Sequence, residues 1–348
     1  MNAKELLIKL CESTGVSGYE SERADIILDY LRGRCDEAWT DKFGNVIGLK
    51  RGKGKGRLMF SAHMDEIGLM VASIDKQGFV GVTQIGGFDQ RTLLAHEVII
   101  HGREKVYGVI GVKPPHITTA EEDKKSARLE DLRVDTGHDA QGLRELVSIG
   151  DIITINRKVV ELKNNRLAGK CMDDNVGVAS YALVLDRLEA FSHDLDVYFV
   201  ASAQEEVGVR GAQVAAQVIE PDMAIVLEVG FGRSAEGADD GETMLGEGVG
   251  IALGPNINRR MFSRLKEVAK KNGIKYQVTV APGMSGTDAR SIQISGKGVA
   301  TALLEVPTKY MHTSVETICM DDVDMMGRLM AEFVIGFNGQ DAEEFLCL

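Results

Sequence analysis

Residues Arg57–Gly68 read RLMFSAHMDEIG, a short apolar run that ends on His63 and Asp65. Its length and composition predict a buried strand that delivers an imidazole and a carboxylate at its carboxyl end. Upstream, helix and strand alternate. Ser17 and Glu20 have the spacing of a capping box, ahead of a helix with Ile27, Tyr30 and Leu31 on one face. EAWTD and NVIGLKRG, separated by KFG, read as a hairpin. Downstream, from about Leu69 to Leu162, helical periodicity nearly vanishes. LMVASID, GFVGVTQIG, EVIIHG, VYGVIGV and DIITI follow one another with turn residues between them, and a helical piece fits only near Ala140 to Leu146. Short strands so closely spaced predict a small barrel or sandwich. The charged stretch Glu121 to Asp131 reads as a mobile loop.

After Leu167 the alternation returns. NVGVASYALVLDRLEAF is a helix, LDVYFVASA a strand, GAQVAAQVI a helix and MAIVLEVG a strand, and RMFSRLKEVAKKNG and MMGRLMAEFVIGF are later helices. The simplest account is an α/β domain with an open, mostly parallel sheet over residues 1–69 and 162–348, interrupted by a β-rich, barrel-like insert over 70–161. The chain of 348 residues, 44% hydrophobic and 26% charged, has the composition of a soluble globular protein. No apolar run has the ~18 residues of a membrane helix, and MNAKELLIKL is too short and too charged for a signal peptide. A net charge of -12 disfavours nucleic acid and anionic membrane as partners. Five scattered cysteines without a CxxC pair point to a reducing, cytoplasmic setting and away from a thiolate zinc site.

Metal-ligand groups stand at successive strand ends. His63 and Asp65 follow RLMFSA, Asp173 and Asp174 precede a helix, Glu205 and Glu206 follow LDVYFVASA, and Glu228 ends AIVLE. His312 lies in PTKYMHTSVE, after GVATALLEV. Ligands of an open parallel sheet bind beyond its carboxyl ends, so these residues are expected to meet. Each has a bland reading: a structural histidine, an aspartate that caps a helix, or solvated loop charges. Together they are hard to explain as surface charge, because burying them without a cation is costly. His96, His101, His116, His138 and His193 lack such a context and read as structural or surface groups.

AHMDEIG, CMDDNVG, AQEEVG and KYMHTSVE, in this order, with GTDA at Gly286 to Ala289, resemble the M42 family of metallo-aminopeptidases. That family is also known as glutamyl, leucyl or deblocking aminopeptidases, and some members have been labelled endoglucanases. The resemblance spans essentially the whole chain. It implies a dinuclear catalytic domain, an inserted β-barrel that drives oligomerisation, and assembly from dimers into a tetrahedral dodecamer. It implies two divalent ions per subunit, Zn(II) or Co(II). His63, Asp173 and Glu228 resemble the ligands of one ion, and Asp173, Glu206 and His312 those of the other, with Asp173 bridging. Asp173 is preferred to Asp174 because relatives use the aspartate four residues before the glycine, here Gly177. Glu205 resembles the general base that activates a metal-bridging water, and Asp65 the carboxylate that orients His63. One departure stands out: the family usually has Asp where this chain has Glu228, and the extra methylene changes reach.

The implied function is hydrolysis of the N-terminal residue of short peptides. Two other readings compete. A glycoside hydrolase needs only two carboxylates, but leaves His63 and His312 idle, and one Trp and 5% aromatics are few for sugar stacking. A non-catalytic metal-binding assembly protein has no use for Glu205.

Overall fold

A computed structural model describes all residues except 55, 114, 118–126, 235–242 and 339–348. Elements are numbered in chain order. The largest is an eight-stranded sheet. Across it lie β1 (Glu37–Thr40), β2 (Val46–Lys50), β12 (Asp196–Ser202), β3 (Arg57–His63), β13 (Met223–Phe231), β16 (Ala300–Thr308), β14 (Val249–Leu253) and β15 (Tyr276–Val280). The central strands β12, β3, β13 and β16 are parallel. β1 and β2 form the expected hairpin at one edge, and β14 runs antiparallel to β16. The sheet is therefore mixed and mostly parallel.

Both faces are covered, which is why the central strands read as nearly unbroken apolar runs. Side chains alternate across a strand: Met223, Ile225 and Leu227 of β13 enter one core, Ala224 and Val226 the other. The first core is packed by α1 (Ala3–Glu12), α2 (Ser21–Arg32), α4 (Met172–Ala190), α6 (Arg259–Lys271) and α8 (Met320–Ile335). The second lies under α5 (Gly211–Ile219) and α7 (Ala289–Ile292). No helix among the described residues is long and apolar enough to cross a membrane.

Between β3 and α4 the chain leaves this sheet. β4 (Gly68–Ile74), β5 (Val80–Ile85), β6 (Glu97–His101), β7 (Lys105–Gly111), β8 (Arg133–Asp135) and β9 (Ile152–Ile155) close into an antiparallel barrel. Closure pairs every strand edge, and Val71, Val80, Val98, Ile100, Ile110 and Ile153 fill the interior. The expected helical piece is α3 (Ala140–Leu146), whose Leu143 joins that core. A third, small antiparallel sheet consists of β10 (Val160–Leu162), β11 (Arg166–Gly169) and β17 (Glu316–Cys319).

Two local expectations are corrected. Ser17 does not cap α2: the helix begins after Glu20, without a side-chain cap. A capping box is present one helix earlier, where Asn2 and Glu5 bond reciprocally at the start of α1. Ser17 and Glu20 are instead drawn into tertiary contacts described below. Of the charged stretch read as a mobile loop, residues 121–126 lie outside the described residues, while Leu129–Asp131 forms one turn of 3-10 helix.

Candidate metal centre and active site

Register brings the first two groups together. β3 and β13 are neighbours with Ser61 opposite Val226. Two residues further along each strand, His63 and Glu228 therefore emerge side by side on one face. β12 pairs its last residue, Ser202, with His63, so the loop beyond it carries Glu205 and Glu206 to the same edge. Asp173 sits between β11 and the regular turns of α4, where Asp173 and Asp174 are both non-helical. His312 lies beyond the end of β16 with φ +60.

The geometry centres on Asp173. Its Oδ1 lies 2.9 Å from His63 Nε2 and its Oδ2 3.3 Å from His312 Nε2. His63 Nε2 is also 3.5 Å from Glu228 Oε1, and His312 Nε2 3.5 Å from Glu206 Oε1. One ligand atom each from His63, Asp173 and Glu206 can lie within 4.8 Å of one another. Asp174 takes the bland role: its Oδ1 accepts the Gly177 N–H at 3.2 Å, capping the helix.

A second layer holds these groups in place. Asp65 Oδ1 accepts the Glu205 N–H at 2.9 Å and Oδ2 the Glu206 N–H at 3.2 Å. Ser17 donates its hydroxyl to Asp65 Oδ2. The Asp65 carboxylate is 3.6 Å from His63 Nδ1, whereas the Asp65 carbonyl oxygen is nearer, at 3.1 Å. Glu20 accepts the Gln204 N–H at 3.1 Å. Three successive amides, 204 to 206, are therefore captured by two carboxylates. Glu316 accepts the Asp173 N–H at 3.1 Å and the His312 N–H at 2.7 Å. Below them Glu66 is buried against Arg23 at 2.8 Å and Lys170 at 2.6 Å. The barrel closes one side: a Cβ at Gly87 would stand 3.3 Å from His312 Nδ1, so a side chain there presses on the imidazole.

Sequence reading missed Ser17, Glu20, Glu316 and Asp288. Asp288 lies in GTDA, is buried, and accepts the Ser202 hydroxyl at 2.5 Å. The signal for Glu316 was present, four residues after His312 in HTSVE. His96 is nearer the site than its context suggested: its Nε2 lies 2.9 Å from Ser314 Oγ. His101 and His193 bond Thr154 and the Leu195 carbonyl, as structural histidines do.

The electrostatics call for positive charge. Burial pushes Glu205 up to about 10, with Glu228, Asp288 and Glu206 reinforcing and His63 opposing. Burial also raises Glu228 to about 8 and, with Asp173 beside it, Glu206 to about 7. The hydrogen bond to Asp173 lifts His312 to about 9. For Asp173, burial acts upward, but His312 and His63 hold its pKa below the ordinary value. Buried oxygens on Glu228 (Oε2), Asp174 (Oδ2) and Asp288 (Oδ1) have no hydrogen-bond partner. Two imidazoles and three carboxylates, with a buried Glu228 oxygen left unpaired, fit a divalent cation.

The sequence matches the family model of the M42 glutamyl aminopeptidases over residues 44–329. The chain belongs to the M42 family. The lysyl aminopeptidase of Pyrococcus furiosus is 39% identical over 327 residues, covering 92% of this M42 chain and 93% of that protein. The TET aminopeptidase of the marine sediment archaeon Thaumarchaeota archaeon SCGC AB-539-E09 has a TM-score of 0.94 at 31% identity, covering 99% and 98% of the two chains. The TET1 peptidase of Pyrococcus horikoshii, which can assemble into a tetrahedron or a large octahedral shell, has a TM-score of 0.84 at 30% identity. The match covers 97% of this M42 chain and 100% of that one.

Proposed function

We propose that this chain is a dinuclear metallo-aminopeptidase that removes single residues from the N-termini of short peptides. The observation that carries this reading is Asp173, whose two carboxylate oxygens each face a different imidazole. His63, Asp173 and Glu228 would hold one ion, and Asp173, Glu206 and His312 the other. Bound there, two divalent ions supply Lewis acidity to the scissile carbonyl and lower the pKa of water. Glu205 is the general base. Positive charge in the cluster ionises its carboxyl, which takes a proton from the attacking water and returns it to the leaving amine. Asp65 holds the Glu205 and Glu206 amides and so aims both side chains. Glu228, longer than the family's usual Asp, still reaches His63. The glycosidase reading leaves both imidazoles on Asp173 without work, and the scaffold reading leaves Glu205 without work.

Chelation tests this directly. Hydrolysis of aminoacyl-p-nitroanilides is expected to disappear after the ions are stripped and to return with Zn(II) or Co(II). An undiminished rate in protein shown to be metal-free would sink the reading. Binding is also expected to release protons. In the metal-free protein burial raises Glu205 to about 10, Glu228 to about 8 and Glu206 to about 7, and the hydrogen bond to Asp173 raises His312 to about 9, so the cluster keeps protons at neutral pH. Cations need the deprotonated ligands, so affinity rises with pH through this range and falls below it. Calorimetry of Zn(II) binding in buffers of different ionisation enthalpy measures the release; a buffer-independent heat contradicts it.

We further propose that the barrel drives self-association, through dimers, into a tetrahedral dodecamer. The assembly of the similar TET1 peptidase supports this, as do Tyr107 and Val109, which stand 63% and 50% exposed on the barrel strand β7. Light scattering is expected to give roughly twelve times the 37.8 kDa subunit mass. A stable monomer at micromolar concentration would exclude it.

A further inference from the structure

We infer that Glu316 is a positioning residue that sets the spacing between Asp173 and His312, and thereby the geometry of the second metal position. The inference rests on the dinuclear reading above.

Glu316 is 2% exposed. Both of its oxygens are spent on backbone amides, and both amides belong to ligand residues: Oε2 accepts from Asp173 at 3.1 Å and Oε1 from His312 at 2.7 Å. The small sheet explains how one side chain reaches both. β11 and β17 pair with Gly169 opposite Glu316. From Gly169 the chain runs directly on to Asp173, and into Glu316 it comes directly from His312. The carboxylate therefore lies where the two ligand loops leave and enter one ladder. His312 needs such a hold, because its φ of +60 is a left-handed conformation that a residue with a Cβ keeps only when its surroundings enforce it. The outer side of the same loop is tied to the barrel by Ser314 and His96 at 2.9 Å. His63 and Glu228 sit on β3 and β13 of the large sheet, and their spacing follows from strand register. Glu316 thus acts on the second metal position more than on the first.

The test uses the full-length chain, stripped of metal and titrated with Co(II) by visible absorption and with Zn(II) by calorimetry. Circular dichroism melts check the fold of each variant. Wild type is expected to bind two ions. Glu316→Gln keeps one acceptor but turns an amide N–H against the other backbone N–H. It is expected to fold, to keep the first ion within a few-fold, and to lose the second by roughly 10–100-fold, the usual effect of removing an outer-shell partner, with an altered Co(II) spectrum. Glu316→Ala is expected to show the same selectivity with an equal or larger loss. A folded Glu316→Gln that binds both ions with wild-type affinity and spectrum overturns the inference alone. So does equal weakening of both ions, or a Glu316→Gln that cannot fold, which would make the role purely structural. A wild type that binds no ion overturns the dinuclear reading itself, and this inference with it.

Discussion

Glu205→Gln is expected to slow peptide hydrolysis by about 10²–10⁴-fold, the usual contribution of a positioned acid–base group, while both ions stay bound. Gln has nearly the shape of Glu and accepts hydrogen bonds, but it cannot take a proton from water at neutral pH. Its backbone N–H still reaches Asp65, so the loop and its neighbour Glu206 hold their places. The loss falls on the chemical step: kcat drops, and KM and metal content change little. Burial lifts Glu205 to about 10 without a cation. The residual activity of the variant is therefore expected to lack the acid limb that ionisation of this carboxyl gives wild type. Steady-state kinetics with metal analysis on the same preparations decides the matter, and wild-type turnover in the variant would remove Glu205 from the mechanism.

A matched pair at 173 and 174 is expected to give opposite results. Asp173→Asn takes away the charge that both imidazoles face, so both ions are weakened together. Loss of the several kcal/mol that metal ions contribute to such reactions corresponds to roughly three or more orders of magnitude in rate. Asp174→Asn is expected to be nearly silent. Burial, then Glu228 and Asp173, push the Asp174 pKa well above the ordinary carboxylate value. Asp174 leaves Oδ2 without a hydrogen-bond partner, and Asn is its isostere. Asn also accepts a hydrogen bond as a helix cap, preserving the contact with Gly177. Activity and metal stoichiometry measured side by side distinguish the two positions. A silent Asp173→Asn, or an Asp174→Asn that loses both ions, would exchange the roles assigned to them.

Local pattern made much of this protein legible. The run RLMFSA, the return of helical periodicity after Leu167 and the closely spaced strands between them disclosed an α/β sheet interrupted by a barrel, because periodicity depends on neighbours a few residues apart. Strand ends are local features too, so His63, Glu205, Glu206 and His312 could be picked out as a group before their contacts were known; Glu228 reads as the end of its strand, but β13 runs on to Phe231. The choice between Asp173 and Asp174 drew on family resemblance alone, and it is the fold that turns only the first carboxylate toward both imidazoles. Ser17 and Glu20 show the same limit from the other side. Their spacing satisfies a local rule, yet Ser17 bonds Asp65, 48 residues away, and Glu20 bonds the amide of Gln204, 184 residues away. Glu316 serves Asp173 across 143 residues. Such contacts depend on how separate sheets dock, and no short-range period encodes that. Residue type and spacing specified which groups can carry the chemistry; packing of the large sheet, the small sheet and the barrel decided which oxygen faces which nitrogen.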